Sequence, residues 1–517
     1  MKKIIVILIV AFSLVVLMLF ARDKKQAVTG GGFSAGQAVN EDTLMLDSTI
    51  VGISTVLTDL EVPWELAWGP DSCIWYTEQN GNISRFNPQT GVKHLLIKLP
   101  DLYRKRLGLL SMALHPDMKK APFVFINYLF LKDSVVYAKV VRYTYQEDSL
   151  VNPVKLIEWP AHVGHNGSRI AIGPGEKLMI ATGDITKDHT AQDSLTPNGK
   201  ILRLNMDGSI PPDNPYPGSP VWARGFRVPQ GLVFSKTGKL YSAEHGDATD
   251  DEVNLIQKGG NYGFPFVTGY CDADTEKAFC KEHNVIEPLK AWTPTIAPAG
   301  IDYYDNKSIP EWRNAILLVT LKTQSFRVLR LNSTGNRITG EHVFLEKKYG
   351  RLRDICISPN GDIYVSTSNR DWNPPDNFPV PHDDRILRIH CIDKIPRNKR
   401  VVNNPAAGQS KETHQDAATV YVNYCQSCHK VNGKGITGTY PPLAGNPFVT
   451  GNPGSVIKTV LTGLNGEVNI NGVVYSQPMP AFKFLSDANI AGVVSYIRTH
   501  FNNATPVTTG DVKKARK

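Results

Sequence analysis

Cys425-Gln-Ser-Cys428-His429 is a C-x-x-C-H run. Two thiols on one helical turn can form thioethers to the two vinyl groups of a haem, and the adjacent histidine then meets the iron. A sixth ligand is expected well downstream. Gln477-Pro-Met479-Pro-Ala-Phe supplies a thioether on a loop, fifty residues after His429. A methionine ligand stabilises reduced iron and raises the potential, which suits an electron acceptor. A redox dithiol or half a zinc site would use the same cysteines, but neither needs Met479.

A second set of polar residues is spread over the longer N-terminal part. His165-Asn-Gly-Ser-Arg169 and Thr182-Gly-Asp184 flank one strand-like stretch. Gly225-Phe-Arg227-Val-Pro-Gln-Gly and Ala243-Glu-His-Gly246-Asp247 flank another. Thr320-Leu-Lys322 and Gly350-Arg351-Leu-Arg353-Asp follow. Strand alternation puts Arg351 and Arg353 on one side. Three arginines and a lysine from separate segments could converge on one polyanionic ligand. Taken singly, each residue has an ordinary explanation: a satisfied polar histidine, a turn-capping aspartate, a surface lysine, a solvated strand face.

The elements that carry these residues repeat. A turn, a small polar pair and an aromatic-rich strand recur at Gly69-Pro-Asp-Ser-Cys-Ile-Trp-Tyr-Thr, Gly173-Pro-Gly-Glu-Lys-Leu-Met-Ile-Ala, Ser235-Lys-Thr-Gly-Lys-Leu-Tyr-Ser-Ala and Ser358-Pro-Asn-Gly-Asp-Ile-Tyr-Val-Ser, at offsets of 104, 62 and 123 residues. One offset is a single period and the others are near two. Missing copies are expected near His115-Pro116, before Phe123, and near Ile309-Pro310, before Ile316. Six repeats of short strands predict a six-bladed β-propeller over 51–393. An irregular pair of β-sandwiches is the alternative. With 42 glycines and 35 prolines among 517 residues, the composition is turn-rich and mainly β. The net charge of +9 comes from 57 basic and 48 acidic residues that are well interspersed, so nucleic acid is not an expected partner.

Residues 394–410 read as an interdomain linker, and 411–502 as a small all-α domain. That domain has one helix over Ala417–Cys425 and another starting at Ser486-Asp487 and running to about His500. Residues 503–517 read as a flexible tail. At the other end, Met1-Lys2-Lys3 precedes the apolar run Ile4 to Ala21, about the minimum for a bilayer span. Residues 1–21 are a membrane anchor or a signal segment, and 22–50 a tether. Either way the body is expected on the periplasmic side of the membrane, in the periplasm, or secreted. Cys271 and Cys280 bracket a short polar loop and are expected to pair. Cys73, Cys356 and Cys391 are expected as buried thiols.

Residues 411–502 resemble class I cytochrome c, through C-x-x-C-H, Tyr440-Pro-Pro-Leu-Ala-Gly-Asn446 and Met479-Pro-Ala-Phe. Residues 51–393 resemble the soluble quinoprotein glucose/aldose sugar dehydrogenases, propellers that use pyrroloquinoline quinone (PQQ) and calcium. The most specific stretches are Gly199-Lys-Ile-Leu-Arg-Leu-Asn-Met-Asp-Gly-Ser-Ile-Pro, Pro229-Gln-Gly-Leu, Asp251-Glu-Val-Asn-Leu-Ile-Gln-Lys-Gly-Gly-Asn-Tyr-Gly263 and Arg351-Leu-Arg-Asp. The resemblance implies His165 as general base, Asp184 as the carboxylate orienting it, and Arg227 beside the quinone oxygen. It implies Lys322, Arg351 and Arg353 as further PQQ ligands. The carbonyls of Gly246 and Asp247 would bind calcium, and Glu252 and Tyr262 a second calcium. His245 is given no role. The chain departs from the family at Val228, where an asparagine is common, and it lacks a clear match for a substrate-side tyrosine. The resemblance therefore implies an aldose or related polyol as substrate, with a respiratory electron acceptor beyond the haem. The alternative is a non-catalytic sugar- or partner-binding propeller carrying an electron-transfer cytochrome.

Overall fold

A computed structural model describes residues 39–104, 107–186, 189–394 and 416–516. The expected anchor 1–21, the tether up to residue 38 and all but the first residue of the linker 394–410 lie outside the described residues. Five four-stranded antiparallel sheets and one five-stranded sheet follow one another along the chain. The second strands of the six sheets are Ile74–Glu78, Phe123–Lys132, Lys177–Thr182, Leu240–His245, Ala315–Thr320 and Ile363–Thr367. They fall on the four clear sequence repeats and the two inferred ones. Their continuous apolar runs reflect burial on both faces: every residue of Ala315–Thr320 and Ile363–Thr367 is buried.

The first strands are Pro63–Trp68, Leu109–Leu114, Gly167–Gly173, Val228–Phe234, Pro298–Tyr304 and Leu352–Ile357. Each packs against the first strand of the next sheet, and Leu352–Ile357 packs back on Pro63–Trp68, closing a six-bladed propeller. The last blade is completed from the N-terminus. Thr49–Leu57 pairs with Ile386–Lys394 (Val51 opposite Cys391, Ile53 opposite Ile389), and Asp42–Met45 adds the outer edge. The tether expected over 22–50 therefore ends early, because the apolar residues from Val51 onward pull the preceding residues into the sheet: Val51 and Ile53 are fully buried.

Helix α1, Asp274–His283, sits on the fourth blade and carries Cys280, which is bonded to Cys271. The segment between the two cysteines is thus mostly helix rather than loop. Cys73 and Cys356 are buried, but Cys391 is only half-buried on the last-formed blade.

The C-terminal domain contains α2 (Ala417–Tyr424), α3 (Gln426–His429), α4 (Pro447–Thr450), α5 (Pro453–Thr462), α6 (Asp487–His500) and α7 (Thr509–Arg516), with a small hairpin of Val468–Ile470 and Val473–Tyr475. Asp416 caps α2 and Ser486 caps α6 by accepting backbone N–H bonds in the first turn. Val420, Ile457, Ile490 and Val494 form its core. The tail expected over 503–517 is instead largely α7. Its single buried apolar residue, Val512, is fully enclosed, and Arg516 Nε donates to Asp487 Oδ1 at 2.6 Å. Among the described residues no helix is long and apolar enough to cross a membrane.

Candidate functional site

His165 lies in the loop before Gly167–Gly173, and Asp184 just after Lys177–Thr182, the neighbouring strand of the same blade. Their side chains meet, with 3.0 Å between His165 Nδ1 and Asp184 Oδ1. A carboxylate facing Nδ1 fixes the proton there and leaves the Nε2 lone pair free. The backbone holds both partners. The Asp184 N–H donates to the Arg227 carbonyl at 2.8 Å, and the His165 N–H donates to His162 Nδ1 at 3.2 Å. The His165 side chain keeps 21% exposure and Asp184 only 8%, so the imidazole is the reachable member.

Arg351 and Arg353 converge as strand alternation predicts. Both guanidiniums reach Asp371 Oδ2, Arg351 Nη2 at 3.3 Å, and Arg353 also lies 4.0 Å above the Trp64 ring. Burial pushes the Arg353 guanidinium down to about 10, against the pull of Asp371 and with the push of Arg351. Burial would raise Asp371, but the two arginines outweigh it and hold its carboxyl below the usual range. Lys322 donates to Thr295 Oγ1 at 2.7 Å, and burial lowers its pKa while Asp251 opposes the shift. Among these cations sits His245. Burial, then Arg227 and Arg353, push it down to about 3, so it is a neutral imidazole. Its Nε2 and the Nε of Arg351 are buried with no hydrogen-bond partner among the described residues. The unpartnered Arg351 Nε–H amid positive charge is what a bound polyanion would satisfy.

Arg227 also occupies one of the expected calcium ligands, the Gly246 carbonyl, and holds the side chain of the other residue. Its Nη1 donates to the Gly246 carbonyl at 2.9 Å and its Nη2 to Asp247 Oδ1 at 2.7 Å. A Cβ on Gly246 would lie 1.8 Å from the Thr249 carbonyl, so only glycine fits this turn. Glu252 and Tyr262 are not brought together as a side-chain pair. The Tyr262 hydroxyl donates to the Leu255 carbonyl at 2.7 Å, whereas Glu252 lies beside Glu244, the two sharing Asn254 Nδ2. Burial raises both carboxyls, and their mutual repulsion raises Glu244 further. Two buried carboxylates without a cation are an arrangement that a divalent ion would relieve.

In the C-terminal domain, Cys425 and Cys428 are unbridged, and burial pushes the Cys425 thiol up to about 12. His429 Nδ1 donates to the Pro441 carbonyl at 2.9 Å, which leaves the Nε2 lone pair available to a metal. Met479 is partly buried against the same core and is pinned by a two-bond bridge with Leu464. These residues fit a covalently held haem.

Residues 60–373 match the sequence family Glucose / Sorbosone dehydrogenase, and residues 415–501 match Cytochrome c. The chain belongs to the glucose/sorbosone dehydrogenase family. It is 32% identical over 403 residues to the quinoprotein glucose dehydrogenase B of Acinetobacter calcoaceticus, covering 60% of this chain and 84% of that one. Its fold matches the PQQ-bound form of an aldose sugar dehydrogenase from Streptomyces coelicolor with a TM-score of 0.58 and 31% identity, covering 66% of this chain and 98% of the other. The C-terminal part is 36% identical over 111 residues to cytochrome c-552 of Thermus thermophilus, covering 20% of this chain and 84% of that protein.

Sequence reasoning missed several residues that shape this glucose/sorbosone dehydrogenase site. Trp64 lies in the first blade and meets Arg353, in the last, only because the ring closes, whereas Asp371 follows the strand that pairs with Arg353's own strand in the same blade. His162 supports the His165 backbone from three residues away. His245 stands directly opposite Val228 in the strand register, so the apolar departure from the family lies beside this buried neutral imidazole.

Proposed function

We propose that this protein is an exported quinohaemoprotein that oxidises an aldose sugar or related polyol and passes the electrons singly to its own c-type haem. One observation carries the reading. A His165–Asp184 pair with a free, reachable Nε2 stands on the same propeller as a basic cluster in which the buried Arg351 Nε–H lacks a partner among the described residues, and the same chain carries His429 with its own Nε2 free. The relatives named above for PQQ and for sugar support the substrate and cofactor class. The basic N-terminus followed by an apolar run supports export, with the haem delivering to a respiratory acceptor.

When bound, PQQ would supply a two-electron quinone acceptor for hydride, and haem a one-electron acceptor. Lys322, Arg351, Arg353 and Arg227 would hold the carboxylates and oxygens of PQQ, with Asp371 keeping the two arginines parallel. His165 Nε2 would take the proton of the substrate hydroxyl, and Asp184 would stabilise the imidazolium that results. Arg227 would stabilise negative charge developing on oxygen. Calcium on the Gly246 and Asp247 carbonyls would compete with Arg227 for the first of them and so release its guanidinium. Glu252, with Glu244 rather than the Tyr262 hydroxyl, would hold the second calcium. Cys425 and Cys428 would fix the haem, with His429 and Met479 on the iron.

Val228 favours a second reading, a propeller that binds sugar or a partner without catalysis. Anaerobic addition of PQQ, calcium and a panel of sugars and polyols to the haem-loaded protein separates the two. Haem reduction by at least one aldose is expected, and a haem that stays oxidised across the panel would falsify the catalytic reading.

A further inference from the structure

The propeller segment that follows Asp371 touches the C-terminal domain at the haem-attachment turn. Lys430, next to His429, donates through Nζ to Asn373 Oδ1 and to the Pro374 carbonyl, both at 2.7 Å. Gln426, inside the C-x-x-C-H run, donates to Asp376 Oδ2 at 3.0 Å. The Trp372 and Tyr440 rings lie 5.8 Å apart at 44°. Ala248, one residue from the Asp247 that holds Arg227, packs against the apolar core of the C-terminal domain. The contacts thus come from two loops on the propeller face that carries the basic cluster, and they all meet the haem-bearing side.

We propose that residues 372–376 are a docking surface that seats the haem-attachment turn over the basic cluster, so that electrons cross a fixed contact rather than one reached by diffusion on the linker. The proposal rests on the functional reading above for the electron donor, but the contact itself does not. Asp371 gives the arrangement its sense. It clamps Arg351 and Arg353 on one side, and the chain leaving it grips Lys430 within two to three residues. The two cofactor sites are therefore coupled through a few covalent and hydrogen-bonded steps. Across the contact Asp376 attracts Lys430, while Arg351 opposes it. Such a patch holds weakly and releases in salt, as a face that must also admit sugar requires. Each sugar yields two electrons and the chain has one haem site. Two crossings per turnover are needed, with an external one-electron oxidant of the cytochrome or respiratory class removing the first electron before the second crosses.

The test uses the full haem-loaded chain, first without PQQ. Amide hydrogen exchange is followed at 372–376 and 425–430 in the parent, in Lys430→Met, in Asp376→Ala and in Lys430→Arg, which keeps a charged donor, with haem content checked by absorbance. Lys430→Met and Asp376→Ala are each expected to speed exchange on both sides of the contact about tenfold, the loss typical of one charged hydrogen bond, and Lys430→Arg to keep protection. With PQQ, calcium and sugar added, the first-order haem reduction rate should fall about tenfold in Lys430→Met and Asp376→Ala and stay near the parent in Lys430→Arg, while sugar oxidation by a small dye is unchanged. Parent-like exchange in both Lys430→Met and Asp376→Ala overturns the docking. If the exchange pattern holds but no sugar reduces the haem, the docking stands and the functional reading fails.

Discussion

Asp371→Asn removes a charge while keeping shape. In the parent one buried carboxylate serves two guanidiniums, and Arg353 has only Ser368 and the Trp64 face as its other partners. The amide can still accept one hydrogen bond, but it cannot offset two positive charges in a buried site. Removing one partner of a buried ion pair costs about 3–5 kcal/mol. At roughly 2–4 °C per kcal/mol for a large domain, the propeller melting transition should fall by about 6–20 °C in the ligand-free protein. The same change leaves the cluster with more uncompensated positive charge, so a tricarboxylate ligand should recover part of the loss. Calorimetry with and without PQQ reads both effects: the variant melts lower when empty, and PQQ raises its melting temperature more than it raises that of the parent. A variant as stable as the parent would show that Asp371 does not neutralise the pair. Equal PQQ shifts in both proteins would show that the arginines do not face the ligand's carboxylates.

His165→Ala should cut sugar turnover about 10²–10⁴-fold while PQQ still binds, as judged by titrated absorbance, and near-normal turnover would remove His165 as the base. Met479→Ala should lower the haem potential and abolish the sulfur–iron charge-transfer band, and an unchanged spectrum places the sixth ligand elsewhere. The Glu244–Glu252 pair predicts a pH effect on stability. Burial raises both carboxyls above their ordinary 4.5, so the folded state favours their protonated forms. That contribution is complete in acid and is lost as pH rises through the raised values. Calcium should therefore raise the melting temperature more at pH 8 than at pH 5, and Glu252→Gln should flatten both dependences. Equal calcium shifts at the two pH values count against a cation between these residues.

The parts of the fold that were legible in the sequence share one property: their burial is local. The second strand of each blade is enclosed on both faces, so Ile-Tyr-Val-Ser and Leu-Tyr-Ser-Ala mark themselves as continuous apolar runs. His165 and Asp184 were legible through the resemblance to the family, and the structure sets them on neighbouring strands of a single blade. Trp64 was not, since its contact with Arg353 depends on the first and last blades meeting, and Asp371 was not, since it lies in the irregular stretch after Ile363–Thr367, where nothing is periodic. Edge elements were also hidden. Asp42–Met45 shows only partial burial, and Thr509–Arg516 encloses a single valine, so neither carries enough apolar pattern to separate a strand or a helix from a tail.

The latch of the sixth blade also governs the order in which this chain can fold. Thr49–Leu57 is made early, yet its partner Ile386–Lys394 comes at the far end of the propeller. Until that strand is available, Val51 and Ile53 stay on an open β-edge, and the first strand Pro63–Trp68 lacks the neighbour Leu352–Ile357. Closure is thus the most non-local event in the molecule and its expected slow step. During it, unpaired strand edges from both ends are free to pair with another chain. The C-terminal domain, whose contacts are nearly all internal, need not wait for that step. A nascent molecule can hold a finished haem domain while its dehydrogenase ring is still open.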